Sequence, residues 1–76
     1  MNPINELLEK VRPEMNFMES EDFVEGGFLD SFDIFTLVAE IDKKYLISID
    51  GEDIIPENFK NIKTISDLLR KYGVNV

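Results

Sequence analysis

Ile4, Leu7, Leu8 and Val11 recur at i, i+3, i+4 and i+7, the stripe of an amphipathic helix. Pro3 suits its first turn, where a missing N–H costs nothing. Arg12 precedes Pro13, and the proline ring pushes the residue before it out of the α region, so the helix is predicted to stop there. A second reading lets it run on raggedly to Phe17 or Met18. Periodicity then fades until Asp30. The stretch 13–30 carries Glu14, Glu19, Glu21, Asp22, Glu25 and Asp30 without a Lys or Arg, and Gly26-Gly27 interrupts it near its end. It reads as a long loop pinned by Phe17, Phe23 and Phe28. Loops of this length are uncommon in small domains and tend to serve function.

A second helix is predicted after Asp30. Phe32, Phe35, Leu37, Val38, Ile41 and Tyr45 follow helical spacing, Asp30 suits the N-cap with Asp33 at N3, and Lys43 and Lys44 fall in the last turns, where cations complement the helix dipole. Leu46-Ile47-Ser48-Ile49 alternates as a strand would but has no partner strand, so it is read as an extended connector. Asp50-Gly51 turns the chain, and Pro56-Glu57-Asn58-Phe59 suits one helical turn. Thr64 looks like the N-cap of a last helix with Asp67 at N3. Ile65, Leu68, Leu69 and Tyr72 supply its apolar face, and Gly73 occupies the C′ position that ends it. The expected architecture is therefore all-α: a small four-helix bundle of three main helices and one short one, with a long first loop, formed by residues 1–76 as a single domain. Leu7, Leu37, Ile41 and Leu68 are expected at the centre of its core.

Composition narrows the function. The chain has no Cys and no His, which removes disulfides, thiolate metal sites and Ser-His or Cys-His catalysis within the chain. Sixteen acidic residues against eight basic ones give a formal net charge of −8. Such a chain repels nucleic-acid phosphates and anionic membranes, and its natural partners are proteins with basic surfaces; the bland reading of the same charge is solubility. The opening Met1-Asn2-Pro3-Ile4-Asn5 has no basic leader and no stretch approaches a membrane span, so a free-standing cytoplasmic monomer is expected. Asp50-Gly51-Glu52-Asp53 suggests calcium, but an EF-hand loop starting there needs Gly and Glu where Ile55 and Asn61 stand; no metal site is expected.

Ser31 is the residue with chemical promise. It follows Gly26-Gly27-Phe28-Leu29-Asp30 and opens the central helix. The glycines permit close approach of another protein, and free N–H groups at a helix N-terminus stabilise an attached phosphodiester. No basic partner activates Ser31 as a nucleophile, so it reads as the substrate of another enzyme; the plain alternative is that Asp30 and Ser31 only cap a helix. Phe32, Asp33, Thr36, Ala39, Glu40 and Asp42 are candidates for the helix's outward, partner-facing surface.

The run Gly27-Phe28-Leu29-Asp30-Ser31-Phe32-Asp33-Ile34-Phe35-Thr36-Leu37-Val38-Ala39-Glu40-Ile41 resembles the attachment region of acyl carrier proteins, and the resemblance extends over nearly the whole chain. It implies a non-enzymatic carrier whose Ser31, preceded by Asp30, receives a 4′-phosphopantetheine arm from coenzyme A through a separate phosphopantetheinyl transferase with magnesium. Cargo would ride as a thioester between a loading ligase and downstream transferases. Lys43 and Lys44 depart from the family's usual acids at that end of the helix, which argues against partners shared with fatty-acid carriers. Residues 50–59 resemble carriers of specialised pathways, including aminoacyl carriers such as the D-alanine carrier group. The rival expectation is an acidic helical interaction module that is never modified.

Overall fold

The computed structural model describes residues 3–76; Met1 and Asn2, on which the expectation of a leaderless start partly rests, lie outside the described residues. Three α-helices form the frame: α1 (Pro3–Val11), α2 (Ser31–Tyr45) and α3 (Ile62–Lys71). The remaining ordered turns are 3₁₀, at Phe17–Glu19, Gly51–Asp53 and Pro56–Phe59. No strand occurs among the described residues. The expected short fourth helix takes the form of the four-residue 3₁₀ turn Pro56–Phe59. It packs against α2 and α3, and its Phe59 is fully buried.

The helices bury most of the apolar stripe that their sequence prescribes, Phe32 and Phe35 of α2 being the exceptions. Ile4, Leu7 and Leu8 of α1, Ile34, Leu37, Val38 and Ile41 of α2, and Ile65, Leu68 and Leu69 of α3 join Phe17, Phe23, Leu29, Ile49 and Phe59 in one core. Leu7, Leu37, Ile41 and Leu68 are all inside it. α1 ends at Val11, one residue before Arg12, as Pro13 dictates.

The helix ends repay closer reading. Asp30 caps α2 through a capping box with Asp33, as the sequence predicts. At α3 the cap is not Thr64 but Asn61: its Oδ1 accepts the Thr64 N–H at 2.9 Å, while Thr64 Oγ1 accepts the Asn61 N–H at 3.2 Å. The helix thus begins three residues earlier than Thr64 implies, and Asp67 sits mid-helix between Lys63 and Arg70. Gly73 ends α3 with φ +83°. Its N–H donates to the Arg70 carbonyl and that of Val74 to the Leu69 carbonyl, both at 3.0 Å, the paired bonds that close a helix C-terminus on a left-handed residue. α2 also ends on a left-handed residue, here Leu46, the only non-glycine residue with positive φ (55°) among those described, with the N–H groups of Leu46 and Ile47 both donating to the Asp42 carbonyl. Beyond it the connector is extended, its Ile49 N–H held by Asp42 Oδ1 at 3.1 Å.

The long first loop is bonded throughout. The Phe23 N–H donates to the Lys60 carbonyl at 2.6 Å, and the Phe23 carbonyl accepts the N–H groups of Phe28 and Leu29, both at 2.8 Å. Phe17 meets the edges of the Phe23 and Phe28 rings at centroid distances of 5.1 and 5.7 Å. The two glycines differ in what they do. A Cβ on Gly26 would lie 2.8 Å from the Asp22 carbonyl oxygen and 2.9 Å from Ser20 Oγ, whereas Gly27 faces open space but holds φ +78°. Gly26 therefore admits its own chain rather than a visiting one.

A polar clasp closes the other end. Tyr72 Oη donates to Asp53 Oδ2 and accepts the Asp50 N–H at 2.8 Å, and Lys71 Nζ reaches both Asp53 oxygens at 2.9 Å. The hydrogen bonds from Tyr72 and Lys71 lower the Asp53 pKa from its ordinary 3.8. A lowered carboxylate contributes stability that is complete above the ordinary value and is lost as pH falls through the folded-state value. The thermal midpoint of the wild type should therefore drop more steeply below about pH 4 than that of Asp53→Asn, which has no carboxylate to protonate. Parallel pH profiles from calorimetry would show that the clasp contributes nothing.

Candidate functional site

Ser31 is the first residue of α2 and is exposed. The capping chemistry beside it is handled by its neighbours. Asp30 Oδ1 accepts the Asp33 N–H at 2.8 Å, and the Ile34 N–H bonds the Asp30 carbonyl at 3.0 Å. No side chain among the described residues hydrogen-bonds the Ser31 hydroxyl, and the N–H groups of Ser31 and Phe32 stay outside the capping box. A substituent on Ser31 Oγ thus meets a helix N-terminus with donors to spare.

The surroundings are apolar. Ser31, Ile34, Phe35, Ile54 and Pro56 line a shallow cleft of about 80 Å³. Phe32 and Phe35 of α2 are 77% and 62% exposed. Ser31 and Phe35 stand four residues apart, on one face of the helix. No titratable side chain lines the cleft, and the chain holds no His.

The predicted partner-facing residues divide. Phe32 and Ala39 are exposed, and Thr36 and Glu40 are half-buried. Thr36 Oγ1 spends its donor on the Phe32 carbonyl at 3.1 Å, and Glu40 pairs with Lys10 of α1 at 3.4 Å. Asp42 is drawn into holding the connector. Asp33 departs from the expectation outright: it is buried, only 7% exposed. Its Oδ2 accepts from Arg12 Nη1 at 3.1 Å and from the Asp30 N–H at 3.2 Å, so it cannot serve as an outward contact. Phe35 is the surface residue that the apolar spacing misassigned to the core. A helical wheel centred on Ile34, Leu37, Val38 and Ile41 would have found it, because one residue's step turns it about 100° off that stripe.

In the sequence ahead of Ser31, Glu25 and Asp30 are exposed acids, while Lys43 and Lys44 are exposed at the far end of α2. Glu40 and Asp42 share that end with the lysines and Asp33 is buried against Arg12, so the exposed acids ahead of Ser31 lie in the loop and the cap, not along α2. No cluster of potential metal ligands exists among the described residues, and no described helix is long and apolar enough to cross a membrane. No family model, curated protein or solved structure matches the chain.

Proposed function

We propose that this chain is a carrier: a domain that performs no reaction itself and presents covalently bound cargo to enzymes. More specifically, it is an acyl or aminoacyl carrier with 4′-phosphopantetheine attached at Ser31. One observation carries the reading. Ser31 offers an exposed, unengaged hydroxyl at the start of α2, with no base beside it and two exposed phenylalanines alongside. The residues present fit the group. The helix N-terminus favours its phosphodiester, the small apolar cleft suits the first part of a flexible chain, and the wider surface leaves the far end accessible to partner active sites. When bound, the arm supplies the thiol, and hence the thioester chemistry, that a chain without Cys lacks. In this reading the 3₁₀ turn Pro56–Phe59 stands in the place of a carrier bundle's short helix.

The implied partners are a phosphopantetheinyl transferase, a loading ligase and downstream transferases, each with a basic surface, acting on a cytoplasmic monomer. Exposed acids such as Glu25 and Asp30 steer the Ser31 end toward them, and Phe32 and Phe35 supply apolar contact once docked. The same exposed rings favour one rival, an interaction module that is never modified. Intact mass separates the two. Incubated with coenzyme A, magnesium and a broad-specificity transferase, the wild type should gain the mass of one arm, and Ser31→Ala should gain none. The variant should keep its thermal midpoint, because Asp30 is the cap. A wild type that stays unmodified would leave the interaction module standing, and an arm retained by Ser31→Ala would move the site elsewhere.

A further inference from the structure

We propose that Arg12, at the end of the first helix, is a positioning residue for Ser31, acting through Asp33 and the backbone of Asp30. The inference rests on the carrier reading for its functional consequence but not for its geometry.

Asp33 and Ser66 are the buried polar side chains among the described residues. A buried carboxylate is stable only when paired and hydrogen-bonded. Asp33 Oδ2 meets both demands at one atom, taking the guanidinium of Arg12 at 3.1 Å and the Asp30 N–H at 3.2 Å. That second bond is half of the capping box that starts α2. Asp30 is covalently joined to Ser31, and its Oδ1 is in turn fixed on the Asp33 N–H at 2.8 Å. A capping box needs only two residues of its own helix. Here it is hitched to a third, 21 positions back in the chain, in another helix's trailing turn.

Arg12 is itself held. Its Nε lies 3.0 Å from Glu14 Oε2, a charge contact without hydrogen-bond alignment, and its N–H bonds the Leu8 carbonyl at 2.9 Å. The cation therefore transmits the position of α1 to the turn that carries Ser31. Removing it leaves the Asp33 carboxylate buried without a counter-charge. The relief available is for the carboxylate to turn toward water, which releases the Asp30 N–H and frees the backbone on which Ser31 sits. Group transfer is sensitive to misplacement of about 1 Å, so a loosened Ser31 should lose turnover more than binding.

The test uses Arg12→Gln and the double variant Arg12→Gln/Asp33→Asn. A neutral carboxamide at position 33 needs no counter-ion, yet its oxygen can still accept the Asp30 N–H. In Arg12→Gln, amide hydrogen exchange at Asp30 should quicken about tenfold. In arm transfer from coenzyme A, kcat should fall about tenfold, with KM for the protein substrate within about twofold. The double variant should recover both. Neutralising position 33 would rescue a purely structural ion pair as well, so the distinguishing readout is locality: exchange should quicken at Asp30 and not at the core amides of Leu37 and Leu68, and kcat should fall while KM holds. Unchanged exchange at Asp30 in Arg12→Gln, or a double variant no better than the single one, overturns the proposal. Should Arg12→Gln fail to fold, the double variant decides: it should fold with wild-type exchange at Asp30, and a failure to do so is equally fatal. A wild type that accepts no arm would instead defeat the carrier reading, and the exchange measurement would still decide whether Arg12 holds the Ser31 turn.

Discussion

Leu37→Ala should leave the protein largely unfolded at room temperature. Leu37 is fully buried on the inner face of α2, within the core shared by all three helices. Truncating such a leucine costs roughly 2–5 kcal/mol, rising with the cavity that remains. A domain of this size holds on the order of 5 kcal/mol in total, and it has no disulfide to limit the loss. Packed helices on every side restrict the collapse that would fill the hole. The far-ultraviolet dichroism of the variant should already be near its denatured value before urea is added. An urea midpoint within error of the wild type would show that the site relaxes freely and that the core is less tightly built than its burial implies.

Phe23→Ala should be nearly as damaging, with a different signature. Phe23 ties the first loop together and to the rest of the domain: its ring packs edge-on against Phe17 and its carbonyl holds Phe28 and Leu29 within the loop, while its N–H bonds the Lys60 carbonyl ahead of α3. Removing a buried phenylalanine ring costs about 3–5 kcal/mol. The backbone bonds can re-form only if the loop keeps its place, and the ring is what keeps it there. Limited proteolysis under native conditions should therefore cut between Ser20 and Asp30 in the variant and spare the same bonds in the wild type. Resistance equal to the wild type would mean that the backbone bonds alone suffice. If the variant is cut there while its helices persist, the loop is a locally unfolding unit.

The pattern of successes and errors in reading the sequence follows physical range. The helices α1, α2 and α3 themselves, the stop at Pro13, the cap at Asp30 and the terminating Gly73 depend on neighbours within one or two turns, and all are present, whereas the α2 stripe holds only without Phe32 and Phe35. The cap of α3 was misread although it too is local. Asn61 and Thr64 are both good cap residues three positions apart, and the box they form uses both in the opposite roles. Asp33 was misread because its fate depends on Arg12, far back in the chain. An acid in the first turn of a helix is ordinarily a solvated one, and nothing near it in sequence announces a buried cation. The exposed start of α2 at Ser31 and its cap at Asp30 follow from a short pattern. The exposure of Phe35 and the cleft wall from Ile54 and Pro56 required the fold.

The paired glycines ahead of Ser31 impose an ordered grammar on the chains that can encode this turn. At Gly27 the obstacle is a left-handed backbone, which asparagine tolerates far better than most residues. At Gly26 the obstacle is a carbonyl oxygen inside the space of a Cβ, which every other residue carries. Gly-Asn is therefore an admissible spelling of the turn and Asn-Gly is not, although the two have the same composition and the same reputation as turn formers. A drifting sequence can lose the second glycine and keep its approach to Ser31, but the first is confined to the one residue without a side chain.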